Sequence, residues 1–502
     1  MNIKDSIEYE TTNIIREVYD IFKGNLNSDL CKDYILAILF LKYVNDSNKS
    51  LNSLKDNKEY INNQFFIPKE SRFDYLYQER ENVNIGEIIN IAFASLEETN
   101  KDKLKGRDGN SIFCNIDFNS TNLGNIKEKN TRLRILLENF NDIELDISST
   151  TVKNTSTIGD IYMQLIEYFA ITIGKQASVF ITPRKVCSLL ALLTQSEHGT
   201  KIFDPTCGSG SLLIEAGKMI EDKKVSLYGQ ELNGNMWAMA KMNMLLHGYD
   251  DAVIRWGDTL RDPKLLEDDK LMKFDIVLAA PPFSSNNWGE EEAQFDRFNR
   301  FWRGVPPRSK GNWAFISHMI EVAYEDKGKI GVIIPHGVLF RGGKEKRIRK
   351  QLIDENYLEA VIGLPSNLYY GTGIPTAIMV FNKGKKNRNT LFIDASQEYQ
   401  SNKNQNILRD EDFNHILSVF NKFKEDRVES KIVEDKYAYI ATLDEIRVND
   451  YNLNIPLYVH SSEEGVKKDT QIILEEIAEL EHQLLYKRES ISACLKELGF
   501  QI

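Results

Sequence analysis

The segment Phe203-Asp204-Pro205-Thr206-Cys207-Gly208-Ser209-Gly210-Ser211-Leu212-Leu213-Ile214-Glu215-Ala216 has the ingredients of a ligand-binding turn. An apolar strand end meets an acid. Small residues then let the backbone pass close to a ligand, and a helix begins whose first N–H groups have no helical partner. A Gly-Ser-Gly turn alone is weak evidence, because many strand-to-helix turns use glycine only for its backbone freedom. No Lys follows the glycines, so a phosphate loop of the Gly-Lys-Ser/Thr kind is not supported.

Three later segments sharpen the chemistry. Gly229-Gln230-Glu231 puts a carboxylate at the next strand end, roughly 20 residues past the turn, where it can accept bonds from ribose hydroxyls. A lone Glu is otherwise a solvated loop acid. After the strand-like run Ala252 to Trp256, Gly257-Asp258 offers an acid at the neighbouring strand end, an acceptor for an adenine amino group. Finally, Phe274-Asp275-Ile276-Val277-Leu278-Ala279-Ala280-Pro281-Pro282-Phe283 is a strand halted by two prolines, which fix their torsions and offer no N–H. Phe283 is thereby thrust out at the sheet's carboxyl edge, or else is a core residue after a strand terminator.

The elements that must hold these residues are legible in outline. From about Asp160, short aliphatic runs alternate with helical stretches, as in a parallel sheet with crossover helices. Candidate strands are Val225 to Tyr228, Phe274 to Leu278, Lys329 to Ile334, Glu359 to Leu364, Ala377 to Phe381 and Thr390 to Ile393. The fold class is α/β, doubly wound. The first 150 or so residues read as helical, Asp33 to Asp46 with a wide apolar face, interrupted by Asn- and Ser-rich loops at Asp46 to Asn57 and Asp108 to Lys127. At the carboxyl end, Ile473, Ile477, Leu480, Leu484, Ile491, Leu495 and Leu498 form a narrow stripe, suited either to packing on its own domain or to a coiled-coil arm for a partner. The expected domains are residues 1–155, 156–460 and 461–502.

Composition narrows the function classes. A chain of 502 residues, 42% hydrophobic, buries more than one core. It contains no run of eighteen apolar residues and starts in charge, so a soluble, cytoplasmic protein is expected. Cys31, Cys114, Cys187, Cys207 and Cys494 are too scattered for a zinc site or a disulfide framework, and no metal is expected. The net charge of −11 argues against a surface that grips DNA everywhere, so any nucleic-acid contact must be local or shared.

In order and wording these segments resemble the modification subunit of type I restriction-modification systems, a family of adenine-N6 DNA methyltransferases. The likeness runs from Ile35-Leu36-Ala37-Ile38-Leu39-Phe40-Leu41-Lys42-Tyr43-Val44 through Thr182-Pro183-Arg184 and Asp204-Pro205 to Ile334-Pro335-His336-Gly337-Val338-Leu339-Phe340-Arg341-Gly342-Gly343. Gly363-Leu364-Pro365 and Tyr370-Gly371-Thr372-Gly373-Ile374-Pro375 extend it. The resemblance implies a Rossmann-like methyltransferase domain between a helical amino-terminal domain and a carboxyl-terminal helical arm. It implies S-adenosylmethionine as cofactor, held by Val179, Phe180, Ile181, Thr182, Pro183, Arg184, Asp204, Gly208, Ser209, Gly210, Ser211, Glu231 and Asp258. Its target loop maps to Ala280, Pro281, Pro282 and Phe283, with Phe283 stacking on a flipped adenine.

One residue departs from that pattern. Similar proteins carry Asn-Pro-Pro-Phe, in which the asparagine amide oxygen and a backbone carbonyl accept bonds from the adenine amine; here the asparagine position is Ala280. These acceptors orient the amine and stabilise its charge, which an alanine side chain cannot do. The expectation is a chain that binds cofactor but methylates poorly, with a noncatalytic scaffold or cofactor sensor as the alternative. A methyltransferase for another planar amine, such as cytosine N4, RNA or protein glutamine, is a further rival.

For DNA, aromatic residues interleave with arginines in Trp288, Phe295, Arg297, Phe298, Arg300, Phe301, Trp302 and Arg303. That pattern suits either an extruded base with nearby phosphates or an amphipathic segment with a core aromatic face. Arg341, Lys344, Lys346, Arg347, Arg349 and Lys350 form a second basic run, able to touch phosphate or to make a solvated helix face. The expected DNA contacts are Trp288, Arg300, Arg303, Arg341 and Lys344, while His336 is expected to be structural. With no DNA-reading module visible, the resemblance implies a specificity subunit, a second copy of this chain in the complex, and a separate ATP-driven restriction subunit.

Overall fold

The structure is a computed structural model that describes residues 28–53, 65–106, 109–141, 156–173, 181–195, 201–220, 225–370, 372–402, 405–425 and 432–459, with a few isolated positions besides. Residues 1–459 form one compact unit and 460–502 another. The carboxyl-terminal stripe expected at Ile473 to Leu498 lies almost wholly outside the described residues, as do Val179 and Phe180.

Ten strands make the main sheet: β1 (Lys201–Asp204), β2 (Ser226–Glu231), β3 (Val253–Trp256), β4 (Ile276–Ala279), β5 (Lys329–Pro335), β6 (Leu358–Gly363), β7 (Thr376–Asn382), β8 (Thr390–Asp394), β9 (Ile432–Glu434) and β10 (Ala438–Ala441). Their spatial order is β9-β10-β8-β6-β7-β5-β4-β1-β2-β3. Strands β3, β2, β1, β4 and β5 are parallel to their neighbours in that run. The two central ones, β4 and β5, read as near-continuous apolar runs, with Ile276, Val277, Leu278 and Ala279 of β4 all buried.

The doubly wound α/β fold is as expected, and its parallel sheet becomes mixed at β7, which lies antiparallel between β5 and β6. The physical reason is the connection. Among the described residues no helix lies between Gly363 and Thr376 to carry the chain back across a face, so β7 returns beside β6 as a hairpin arm does. The β9–β10 hairpin, absent from the expected strands, adds an antiparallel edge.

The principal helices are α1 (Ser28–Ser53), α2 (Ile85–Thr99), α3 (Ile126–Asn141), α4 (Ser156–Ile173), α5 (Arg184–Leu193), α6 (Ser211–Lys218), α7 (Gly234–Leu246), α8 (Asn312–Val322), α9 (Gly343–Asp354) and α10 (Asp410–Lys424). One core is continuous from α1–α4 through α5, α6 and α7 to one face of the sheet; a second lies beneath α8 and α9 on the other. The loop expected from Asp46 is corrected, because α1 continues to Ser53. Weak local preference is overridden there by fixed partners: Lys42 pairs with Asp46, and Asn48 Nδ2 donates to the Phe65 carbonyl.

Candidate active site

In a doubly wound sheet the chain leaves opposite faces on either side of one strand, opening a crevice at the carboxyl ends there. That strand is β1, flanked by β2 and β4. A cleft of about 730 Å³ opens at this edge, a volume within the usual range for small-molecule sites. Its lining includes Ile181, Thr182, Asp204, Gly208, Ser209, Ser211, Glu231, Asp258, Ala280, Pro281, Pro282, Phe283 and Trp288. Four separate strand-end signals in the sequence thus converge on one cavity.

The turn after β1 is built on left-handed glycines, Gly208 at φ +53° and Gly210 at φ +80°. A Cβ on Gly210 would lie 2.7 Å from Met244 Cε on α7, a methyl that can move aside, so it is the left-handed backbone that disfavours a side chain there. The Gly210 N–H donates to the Cys207 carbonyl at 2.7 Å, and Asn243 Nδ2 donates to the Ser209 carbonyl at 2.9 Å. Helix α6 then starts at Ser211, which itself lines the cleft.

Both expected acids of the far wall are present and already engaged. Glu231, buried, accepts the Gly208 N–H on Oε2 at 2.9 Å and the Asn233 N–H on Oε1 at 2.7 Å. Burial raises its pKa, and these backbone N–H groups oppose the rise. Asp258 Oδ1 accepts the Leu260 and Arg261 N–H groups at 2.9 and 3.1 Å, while Oδ2 receives Arg261 Nη1 at 2.9 Å. Asp204 accepts the Thr206 N–H at 2.8 Å; burial, with Glu231 nearby, pushes its carboxyl up to about 8, so it holds its proton at neutral pH.

On the opposite wall, the Pro282 carbonyl receives Ser285 Oγ at 3.1 Å and Asn312 Nδ2 at 3.3 Å, which fixes the path of the diproline loop. Phe283 meets Tyr369 edge-on, centroids 5.1 Å apart and planes at 82°. Tyr369, Thr372 and Ile374, from the β6–β7 connection, complete this side. The sequence had flagged their segment by likeness alone; Arg261 and Tyr369 themselves carried no local signal.

Several expected site residues stand elsewhere. Arg184 does not line the cleft: its guanidinium donates to Glu215 at 2.9 Å and Asp160 at 2.7 Å, tying α5 to α6 and α4. Pro183 and Gly210 shape the backbone behind the lining. The expectation that Arg300 and Arg303 meet phosphate is corrected, because both are buried. Arg300 is held by Asp296 and donates to the Thr259 and Leu260 carbonyls at 2.9 and 2.6 Å; Arg303 pairs with Glu321 and Glu355. Trp288 lines the cleft but is buried, its indole N–H donated to the Pro307 carbonyl at 3.1 Å. Arg341 pairs with Glu345 and the exposed Lys344 with Glu290. His336 sits beside the Thr376 carbonyl, 3.1 Å away.

Known proteins resemble the chain over most of its length. Residues 153–467 match the N-6 DNA methylase family, and residues 11–140 match the HsdM N-terminal domain. The chain is 31% identical to the type I restriction enzyme MjaVII methylase subunit of Methanocaldococcus jannaschii, over 89% of this chain and 78% of that one. It is 30% identical to the MpnII methylase subunit of Mycoplasma pneumoniae, over 96% and 95%. The crystal structure of a type I restriction-modification methyltransferase subunit from Streptococcus thermophilus superposes with a TM-score of 0.77 at 28% identity, covering 90% of this chain and 99% of that one. Family match, near full-length relatives and a site at the topological switch of the sheet converge: the chain belongs to the N-6 DNA methylase family, as a methyltransferase subunit of the type I restriction-modification kind.

Proposed function

We propose that this subunit binds S-adenosylmethionine in the β1–β4 cleft and presents its methyl group to the N6 amine of an adenine extruded from specific DNA. The observation that carries the reading is the meeting, in one cavity, of the glycine turn, the strand-end acids Glu231 and Asp258, and the Pro281-Pro282-Phe283 loop. When bound, the cofactor supplies an electrophilic methyl on a sulfonium. Glu231 offers its remaining lone pairs to ribose hydroxyls, Asp258 Oδ2 accepts the cofactor's adenine amine, and Ser209 and Ser211 with the turn backbone bracket the methionine portion. Of the segment 179–184, Ile181 and Thr182 stand in the lining of the cleft. Phe283, braced by Tyr369, stacks on the target base.

Ala280 limits this site. Only the loop backbone is left to accept the target amine, and losing one such preorganised group costs about 10²- to 10³-fold in rate. The chain therefore binds cofactor and base and turns over slowly. The same residue favours the second reading, a noncatalytic scaffold or cofactor sensor on the methyltransferase fold. In either case the partners are DNA, a specificity subunit that selects the sequence, a second copy of this chain and a restriction subunit. Arg341, Lys344 and the rim at Trp288 are the DNA contacts that remain candidates.

The test is labelled methyl transfer to DNA with the specificity partner present, comparing the chain with Ala280→Asn. Label on adenine N6 that rises about 10²-fold or more in the variant supports the disabled methyltransferase. No label from either, despite cofactor and DNA binding, leaves the scaffold.

A further inference from the structure

Asp258 stands at the cofactor side of the cleft, and the strand of contacts leading from it does not stop there. Arg261, three residues on, donates Nη1 to Asp258 Oδ2 at 2.9 Å, Nε to Glu292 Oε2 at 3.0 Å and Nη2 to the Asn287 carbonyl at 2.5 Å. One planar guanidinium thus joins the wall after β3 to residues 287–292, the rim that follows the diproline loop. Only a fork of several fixed donors can span three such acceptors.

The rim is shaped to receive that fork. Gly289 adopts φ +103°, and a Cβ there would lie 3.0 Å from Arg261 Cγ and 3.1 Å from its Nε. Asn287, itself at φ +57°, is held from the other side by Arg308, whose Nε donates to Asn287 Oδ1 at 2.6 Å and whose carbonyl accepts the Asn287 N–H at 3.0 Å. The neighbouring Asn286 and Trp288 line the cleft. A second link, Arg300 on the Thr259 and Leu260 carbonyls, ties the same short loop to the Asp296–Arg300 segment.

We infer that Arg261 is a positioning residue that transmits cofactor occupancy from Asp258 to the substrate-side rim at Asn287–Glu292. The inference rests on the cofactor reading of the cleft. Asp258 has four lone-pair sites; the Leu260 and Arg261 N–H groups take those of Oδ1, and Arg261 Nη1 takes one of Oδ2. A donor from the cofactor takes the last without evicting Arg261. Fixing the carboxylate then fixes the guanidinium, and with it the Asn287 carbonyl beside the entry for the base. By reciprocity of linkage, ordering of the rim strengthens cofactor binding to the same degree.

The test is amide hydrogen exchange on the full chain with and without S-adenosylmethionine, with calorimetric titration alongside, for wild type, Arg261→Gln and Arg261→Lys. Arg261 is partly exposed and anchors no core, so the variants are expected to fold. The rim carries its own reporters, the Asn287 N–H on Arg308 and the Ala293 N–H on the Gly289 carbonyl. Supporting the proposal, cofactor slows exchange of wild type by about fivefold both at 257–262 and at 284–293; Arg261→Gln keeps the first effect and loses the second; Arg261→Lys retains part of it. A rim still protected in Arg261→Gln, or never protected in a wild-type chain that does bind, overturns the coupling and leaves the cofactor reading standing. A wild-type chain that binds no cofactor overturns both.

Discussion

Glu231 Oε2 accepts the Gly208 N–H at 2.9 Å, so the acid that ends β2 also closes the glycine turn that follows β1. Its other oxygen accepts the Asn233 N–H at the start of α7. One carboxylate therefore ties the turn to the start of α7 while lining the cleft.

Replacing it with glutamine turns one acceptor into a donor, and one of these two N–H groups is left without a partner in a buried place. Glu231→Gln is expected to lose about 1–3 kcal/mol of stability, read from urea unfolding. S-adenosylmethionine affinity is expected to fall about ten- to hundredfold, the worth of one or two charge-assisted bonds. A stability loss with unchanged cofactor affinity, measured by calorimetry, would reduce Glu231 to a clamp on the turn.

Asp204 gives the fold a pH dependence of known sign. Its carboxyl lies at about 8 in the folded chain against an ordinary value of 3.8, raised by burial first and the Glu231 charge second. Between those values the folded state binds the proton more tightly than the unfolded state. The group's contribution is complete below pH 3.8 and is lost as pH rises toward about 8. Asp204→Asn keeps an acceptor for the Thr206 N–H and removes the titration. The variant should gain on wild type in urea midpoint from pH 5 to pH 8, measured without cofactor; parallel curves for the two proteins would show that Asp204 ionises normally.

Arg303 separates a structural arginine from a DNA contact. It is buried between Glu321 and Glu355, and its removal takes the charged partner from both carboxylates, Glu321 keeping the Trp302 indole N–H at 3.1 Å. Arg303→Ala is expected to cost about 3 kcal/mol, the low end for breaking a buried pair because the two acids are partly exposed. The salt dependence of DNA binding by the assembled complex should keep its slope; a slope shallower by about one would mean that Arg303 neutralises a phosphate after all.

The arginines between 297 and 308 show where local sequence falls short. Spacing among aromatic residues looks the same whether an arginine reaches outward to phosphate or inward to a carbonyl. Arg300 turned inward because Asp296 lies four residues before it and the Thr259 and Leu260 carbonyls accept its N–H groups. Arg184 was similarly diverted by Glu215 and Asp160, which lie 31 and 24 positions away in the chain.

What the sequence determined by itself is the set of strand ends. The order of Asp204, the Gly208–Gly210 turn, Glu231, Asp258 and the Pro281-Pro282-Phe283 stop is local, because strand termination, left-handed glycines and proline torsions are properties of a few adjacent residues. The departure at Ala280 was equally legible, being a single residue within a local motif. Only the tertiary structure decided that β7 returns antiparallel, that Tyr369 stands edge-on to Phe283, and that Arg261 spans the cleft from Asp258 to Asn287. Those relationships join segments far apart in the chain, and they exist only once packing of the two cores has fixed where each segment lies.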